Sequence, residues 1–266
     1  MGKIKVVIAG AAGKMGMEIV RTCVATEDME VVGALDLYHV GEDAGSLAGI
    51  APLGVFISGS LAEVLKQTKP HVLVDFTVAE SAYKNVTTSL SSGVAVVVGT
   101  TGFAEAQLAE FKQICTEKQV ACLYATNFAI GAILMMKFAE EAAKYIQDVD
   151  IIELHHDNKM DAPSGTAITT AELIAKNRQK HSQGKNGEVE KIIGARGADY
   201  QGMHLHSVRL PGLLAHQEVL FGAKGQLLTI RHDAYSREAY MPGIALAIRK
   251  IGTYKCFLEG LASIME

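Results

Sequence analysis

Ile4-Lys5-Val6-Val7-Ile8-Ala9-Gly10-Ala11-Ala12-Gly13-Lys14-Met15-Gly16 decides the fold. It opens on an apolar run of strand length, suited to burial on both faces of a sheet. A glycine-rich turn then leads into a helical pattern whose apolar positions are Met17, Ile19, Val20 and Val24. A second strand over residues 30–35 ends in Asp36, 20 residues beyond Gly16. This βαβ unit has the physics of a dinucleotide site. Its glycines let backbone approach a pyrophosphate at the helix start, and the acid takes ribose hydroxyls. The spacing is GxxGxxG rather than GxGxxG, so the assignment rests on context: strand before, helix after, acid at the right distance.

The alternation continues outward from that unit. Strands are expected over 72–75, 94–98 and 120–124, with helices over 79–90 and 105–118 between them. Near-continuous apolar strands separated by helices mean a doubly wound parallel sheet covered on both faces. Ligands bind at the carboxyl ends of such strands, where Gly99-Thr100-Thr101 and Ala125-Thr126-Asn127-Phe128 fall. From Ile130 the pattern changes. A long helix over 130–146, a strand over 149–154 and a helix over 165–178 precede a polar stretch, 181–190, that reads as an exposed loop. Three strands over 203–210, 216–221 and 226–231 follow, joined by Pro211-Gly212 and Lys224-Gly225, and are expected to pair antiparallel. A last helix over 237–251 is expected to return to the first domain. The chain thus divides into 1–126 plus 236–266, a dinucleotide-binding α/β domain, and 127–235, a second α+β domain.

Composition narrows the function. Apolar residues make up 49% of the 266, with 26 glycines and no Trp, as suits tightly packed α/β layers. A net charge of −4 gives no bulk attraction to nucleic acid or an anionic membrane, so an anionic ligand must be held by local groups. Cys23, Cys115, Cys122 and Cys256 form no CxxC pair and no zinc spacing. No charged-then-apolar leader precedes the first strand and no apolar run approaches 18 residues, so a cytoplasmic, reduced protein is expected.

The chemistry concentrates in Glu153-Leu154-His155-His156-Asp157-Asn158-Lys159-Met160-Asp161-Ala162-Pro163-Ser164-Gly165-Thr166-Ala167. Ser164 or Thr166 can sit at a helix start, where free N–H groups favour an anion. Two imidazoles and an ammonium lie just upstream. One loop therefore combines proton donors, a fixed cation and a carboxylate cradle, as a small anionic substrate undergoing protonation requires. Adjacent residues of a strand point to opposite faces, so His155 and His156 cannot share a job if the strand persists through both. His204 and His206 share a strand face and could join them around zinc. No Cys or carboxylate spacing supports that, and no metal is expected.

These stretches resemble the 4-hydroxy-tetrahydrodipicolinate reductase (dihydrodipicolinate reductase) family. The resemblance rests on the loop above, with Gly-Ala-Ala-Gly-Lys-Met-Gly, Val-Gly-Thr-Thr-Gly-Phe, Ala-Thr-Asn-Phe-Ala-Ile-Gly and His-Ser-Val-Arg-Leu-Pro-Gly, in order over nearly the whole chain. It implies a Rossmann-type domain completed by the C-terminal helix, a second α+β domain for substrate and oligomerisation, and a homotetramer. It implies NAD(P)H-dependent reduction of (2S,4S)-4-hydroxy-2,3,4,5-tetrahydrodipicolinate, a dicarboxylate, to tetrahydrodipicolinate with loss of water. His155 matches the family's proton donor/acceptor and Lys159 its proton donor. His156, Gly165 and Thr166 match substrate-binding positions, beside Ser164 and Lys159. Gly10, Ala11, Ala12, Gly13, Lys14, Met15, Asp36, Gly99, Thr100, Thr101, Ala125, Thr126, Asn127 and Phe128 match cofactor contacts. Family members that prefer NADPH often carry Arg after the acid, whereas Leu37 stands here. NADH is therefore expected to serve at least as well as NADPH, with Lys14 or protonated His39 as the cations able to offset the difference.

Two other readings differ in what they require. A semialdehyde dehydrogenase needs a reactive Cys at a loop or helix start, and none of the four is so placed. A nicotinamide-sensing protein without turnover would not need His155 and Lys159 beside an anion cradle.

Overall fold

The computed structural model describes residues 2–180, 182–185 and 187–265. The chain runs β1 (Ile4–Ala9), α1 (Lys14–Ala25), β2 (Met29–Leu35), α2 (Ala44–Leu47), β3 (Ile57–Ser58), α3 (Leu61–Thr68), β4 (Val72–Asp75) and α4 (Ala79–Ser91). It continues through β5 (Ala95–Val98), α5 (Glu105–Lys118), β6 (Cys122–Tyr124), α6 (Ile130–Ala142), β7 (Asp148–His155) and α7 (Gly165–Asn177). The remainder is β8 (Ala198–Tyr200), β9 (Met203–Arg209), β10 (Ala215–Ala223), β11 (Gln226–Ala234), α8 (Met241–Ile251) and β12 (Phe257–Glu259). It forms two compact units, residues 1–128 with 240–266 and residues 129–239.

In the first unit seven strands pair in the order β12-β6-β5-β4-β1-β2-β3, every pair parallel. Strand order reverses between β1 and β4, so their carboxyl ends open the crevice where such sheets bind ligands. The strands are apolar because both faces are covered. Val6, Val7, Ile8, Leu73, Val74, Val96, Val97 and Val98 are sealed from solvent. The buried stripe of α1 is Gly16, Ile19, Val20 and Cys23. Val24, expected on that stripe, is 45% exposed: at 100° per residue it points about a quarter turn away from the centre of the stripe formed by Gly16, Ile19, Val20 and Cys23. α8 packs against this sheet. It also carries β12 to the edge beside β6, a strand too short and too polar in context (Phe-Leu-Glu) to be seen in sequence.

In the second unit five strands pair in the order β11-β10-β7-β9-β8. The three strands expected to form an antiparallel run do not. β10 and β11 form a hairpin, but β9 lies on the far side of β7 and runs parallel to it. A turn signal at Pro211-Gly212 specifies that the chain bends, not which strand it meets next. β7, with Val149 and Ile151 fully buried, takes the centre and pairs along both edges. The register places Val149, Ile151, Glu153 and His155 on one face with Leu205, Arg209, Val219 and Gln217. α7 packs on that face, where Gln217 donates to the Thr170 hydroxyl at 2.7 Å. α6 stops at Ala142 rather than continuing to 146. Lys144 and Tyr145 donate back three residues, to Glu141 and Ala142, so the helix ends in a tightened turn that leaves Tyr145 77% exposed. Of the expected loop 181–190, His181 and Asn186 lie outside the described residues, and the remainder carries no helix or strand.

Candidate active site

In the first unit, the candidate nucleotide site starts at the turn between β1 and α1. Gly10 takes φ +79°, and a Cβ there would stand 2.7 Å from the Phe76 carbonyl oxygen. A Cβ on Gly16 would stand 2.0 Å from the Gly10 carbonyl oxygen. Both positions are closed to larger residues by backbone, one also by conformation. The Gly10 and Ala11 N–H groups donate to the Leu35 carbonyl at 2.9 and 3.0 Å, which spends them on holding the turn against β2. Gly13 caps α1 with no side-chain hydrogen bond. The N–H groups of Lys14, Met15 and Gly16 are thus the ones turned to an anion.

Asp36 closes this turn from the end of β2. Its two carboxylate oxygens accept from the N–H groups of Ala12 and Tyr38, each at 3.1 Å. With Gly10, Gly13, Leu37, Phe76 and Lys84 it lines a cleft of about 610 Å³, roomy enough for an adenosine. The cations named from sequence do not line it. His39 is engaged by Glu42 at 3.0 Å, and Lys14 is exposed outside the cleft wall. The cation that does, Lys84, was not anticipated. It is paired with Glu80 at 2.9 Å on α4, an i, i+4 spacing that reads in sequence as an ordinary solvated helix face.

Thr100 follows β5 and Ala125 follows β6, both buried. The Thr100 hydroxyl donates to Asp75 at 2.9 Å. Asp75, at the end of β4, also accepts from Thr77 N–H and hydroxyl at 3.0 and 2.8 Å and from Asn85 Nδ2 at 2.8 Å. One buried carboxylate therefore fixes the strand ends that present Gly99, Thr100 and Thr101. Phe128, also buried, packs its ring 5.5 Å from that of Phe76. Thr126 is exposed.

In the second unit, a candidate anion site is built on β7 and the start of α7. β7 ends at His155, so His156 already belongs to the loop and the opposite-face argument does not apply to it. His156 Nδ1 is buried and has no hydrogen-bond partner. Lys159 Nζ donates to both Asp161 oxygens, at 2.7 and 2.8 Å, and this ammonium holds the Asp161 carboxyl below its ordinary range. Ser164 is the N-cap of α7, its hydroxyl accepting from Ala167 N–H at 3.2 Å. Gly165 is exposed, and a Cβ there would meet nothing within 4 Å. The helix start thus opens onto free space in which an anion can sit.

Between these groups lies a carboxylate given no role in the sequence reading. Glu153 is 1% exposed. It is paired in bidentate fashion with Arg209, at 2.7 and 2.8 Å, accepts from Ser164 N–H at 3.2 Å, and contacts His155 Nδ1. Burial pushes its carboxyl up, but the hydrogen bonds of His155, Arg209 and Ser207 outweigh that and bring it down to about 2. Arg209 was missed because a lone Arg at a strand end is unremarkable until its buried partner is known. His204 and His206 share a face as expected, at 3.6 and 3.0 Å from Asp150 on β7 rather than with His155 and His156.

Two family models, described as dihydrodipicolinate reductase N-terminus and C-terminus, match residues 4–128 and 131–264. The chain belongs to the dihydrodipicolinate reductase family. It is 53% identical over 267 residues to the 4-hydroxy-tetrahydrodipicolinate reductase of Desulfitobacterium hafniense, covering 100% of both chains. It is 53% identical over 263 residues to that of Moorella thermoacetica, covering 99% of this chain and 98% of the other. A dihydrodipicolinate reductase from Paenisporosarcina sp. TG-14, solved with dipicolinate bound, superposes with a TM-score of 0.89 at 44% identity. That match covers 99% of this chain and 100% of the other. An amine dehydrogenase from Mycobacterium smegmatis, at 14% identity and a TM-score of 0.71, shares the fold alone. Dihydrodipicolinate reductases are pyridine-nucleotide-dependent oxidoreductases, and the expected Rossmann-type parallel sheet, the presence of a second α+β domain and the enzyme class are borne out, while the antiparallel pairing expected within that second domain is not. No helix of the described residues is long and apolar enough to cross a membrane.

Proposed function

We propose that this chain reduces (2S,4S)-4-hydroxy-2,3,4,5-tetrahydrodipicolinate to tetrahydrodipicolinate with loss of water, using NADH or NADPH, in lysine and diaminopimelate biosynthesis. One observation carries the reading. His155, Lys159 and the Ser164-capped start of α7 stand on one short segment, with His155 and Ser164 joined through the same buried carboxylate. Few tasks besides protonating a bound dianion need that set.

The first unit fits a nicotinamide nucleotide. The uncapped start of α1 suits a pyrophosphate, the cleft of about 610 Å³ suits the adenosine, and Asp36 suits its ribose hydroxyls. Bound there, the nucleotide supplies the hydride. Gly10 to Met15 would hold the phosphates, while Gly99 to Thr101 and Ala125 to Phe128 would border the remainder. Asp36 without a following cation favours NADH at least as much as NADPH.

In the second unit, Gly165 and Thr166 at the start of α7 receive one substrate carboxylate through backbone N–H groups. Lys159 exchanges Asp161 for the other and can also release a proton. His156, with Nδ1 left unpartnered, supplies a polar contact. His155 donates and accepts the proton that hydride addition to a conjugated imine requires elsewhere on the ring. A dicarboxylate ligand is supported by the dipicolinate in the related reductase. No metal is needed for any of these roles.

A homotetramer in the cytoplasm completes the proposal. The face of the second sheet opposite α7 carries Ile152, Leu154, Val208 and Leu220, all partly exposed, and Leu227, 65% exposed. Asp150, His204, His206, Glu218 and Arg231 share that face, and a partly exposed surface of apolar residues between paired charges suits sheet-to-sheet packing between subunits. The function is tested by inhibition kinetics. Pyridine-2,6-dicarboxylate should compete with substrate and not with NADH; competition with NADH would mean that the anion cradle has been assigned to the wrong half.

A further inference from the structure

Glu153 is the most deeply buried charged group of the second unit, and its partners fix both its orientation and its protonation. Oε1 accepts from Arg209 Nη2 and Ser164 N–H, while Oε2 accepts from Arg209 Nη1 and lies in hydrogen-bond contact with His155 Nδ1. Arg209 cannot swing away easily, because Nη1 also donates to the Val208 carbonyl and Nη2 to the Asp161 carbonyl, each at 2.8 Å. A carboxylate locked this way by a guanidinium stays ionised at any pH at which the enzyme works, and an ionised carboxylate only accepts. The hydrogen in its contact with His155 must therefore sit on Nδ1. That leaves Nε2 of the neutral ring as the atom that takes up and gives back a proton.

We propose that Glu153 is the positioning residue for His155, holding the ring in the Nδ1–H tautomer so that Nε2 handles the proton of the reduction. This rests on the role read above for His155. Glu153, 1% exposed, presents no open surface to a ligand and acts through the imidazole, whose side chain is 16% exposed.

The isosteric change Glu153→Gln separates this role from simple packing. Arg209 Nη2 and Ser164 N–H claim the amide oxygen, which leaves the amide NH₂ facing His155 Nδ1 and Arg209 Nη1, the latter keeping the Val208 carbonyl as its acceptor. Nδ1 must then accept, and the hydrogen moves to Nε2. An amide in place of the carboxylate behind a catalytic imidazole lowers kcat by up to about 10⁴-fold with the geometry intact.

The experiment combines ring ¹⁵N NMR of histidine-labelled full-length protein with kinetics of wild type, Glu153→Gln, His155→Ala and the double variant. His155→Ala assigns the resonances. The inference predicts Nδ1–H for neutral His155 in wild type and Nε2–H in Glu153→Gln. It also predicts a kcat loss of at least roughly 10-fold with KM changed less, and no further loss when Glu153→Gln is added to His155→Ala. The wild-type spectrum needs no variant to fold: an Nε2–H tautomer there overturns the inference. So does a Glu153 effect on kcat that persists undiminished without His155, which would mark plain structural damage. A His155→Ala enzyme with full kcat overturns the reading of His155 itself, and that result is separate from the tautomer.

Discussion

Leu37→Arg should move cofactor preference toward NADPH. Asp36 puts a negative charge beside the ribose pocket, with its oxygens fixed by Ala12 and Tyr38 N–H groups. A 2′-phosphate carries about −1.5 to −2 charges, and each unit pair costs about 1 kcal/mol at 4 Å in water. Water is the right medium, because Leu37 is 75% exposed. The wild type therefore disfavours the phosphate by roughly 1.5–2 kcal/mol. An Arg at 37 offers a charge-assisted contact worth about 1.5 kcal/mol at such an exposed site, or on the order of tenfold. The assay is Kd for NADH and NADPH by fluorescence titration, with kcat/KM for both. The variant should bind NADPH about tenfold tighter and NADH within about twofold, and the gain should shrink at high salt. An unchanged ratio would refute the reasoning. So would a wild type preferring NADPH by more than about tenfold, which would mean that Lys84 leaves Glu80 for the phosphate.

Lys159→Ala should lower kcat and raise KM together, since it removes a proton source and a carboxylate contact; nucleotide Kd measured alongside should stay put. Acid should weaken the fold through Glu153. Its carboxyl drops from 4.5 to about 2 on folding, so the stabilisation is present above pH 4.5 and lost as pH falls through 2. The size is roughly 3 kcal/mol, and urea unfolding across that window should show wild type losing more stability than Glu153→Gln. Parallel curves would contradict it. Gly16→Ala should cost about 3 kcal/mol or more and weaken nucleotide binding, because its Cβ would meet the Gly10 carbonyl at 2.0 Å. A melting temperature within a degree of wild type would count against that packing.

Period and glycine placement made the first unit legible. The strands β1, β2, β4, β5 and β6 and the helices α1, α4 and α5 lie within a few residues of where the apolar runs put them, whereas α2, β3 and α3, short elements between β2 and β4, were not read. The second unit was legible in its elements but not in its pairing. Local turn chemistry at Pro211-Gly212 says nothing about β7 entering between β9 and β10, which depends on where the most apolar strand finds two partners. The loop chemistry of His155, Lys159 and Ser164 could be read because it is contiguous. Arg209 could not, since it reaches Glu153 from 56 residues away through strand register alone. Lys84 was hidden for the opposite reason: its local pairing with Glu80 is complete, and nothing local shows that both line a cleft.

The central claim is turnover, and it is tested most directly by following NADH and NADPH absorbance with purified protein and enzymatically generated 4-hydroxy-tetrahydrodipicolinate. Substrate-dependent oxidation of NADH, at least as efficient as that of NADPH and lost in His155→Ala, is the predicted result. A folded protein that binds nucleotide yet leaves both cofactors unoxidised in the presence of substrate would contradict the account.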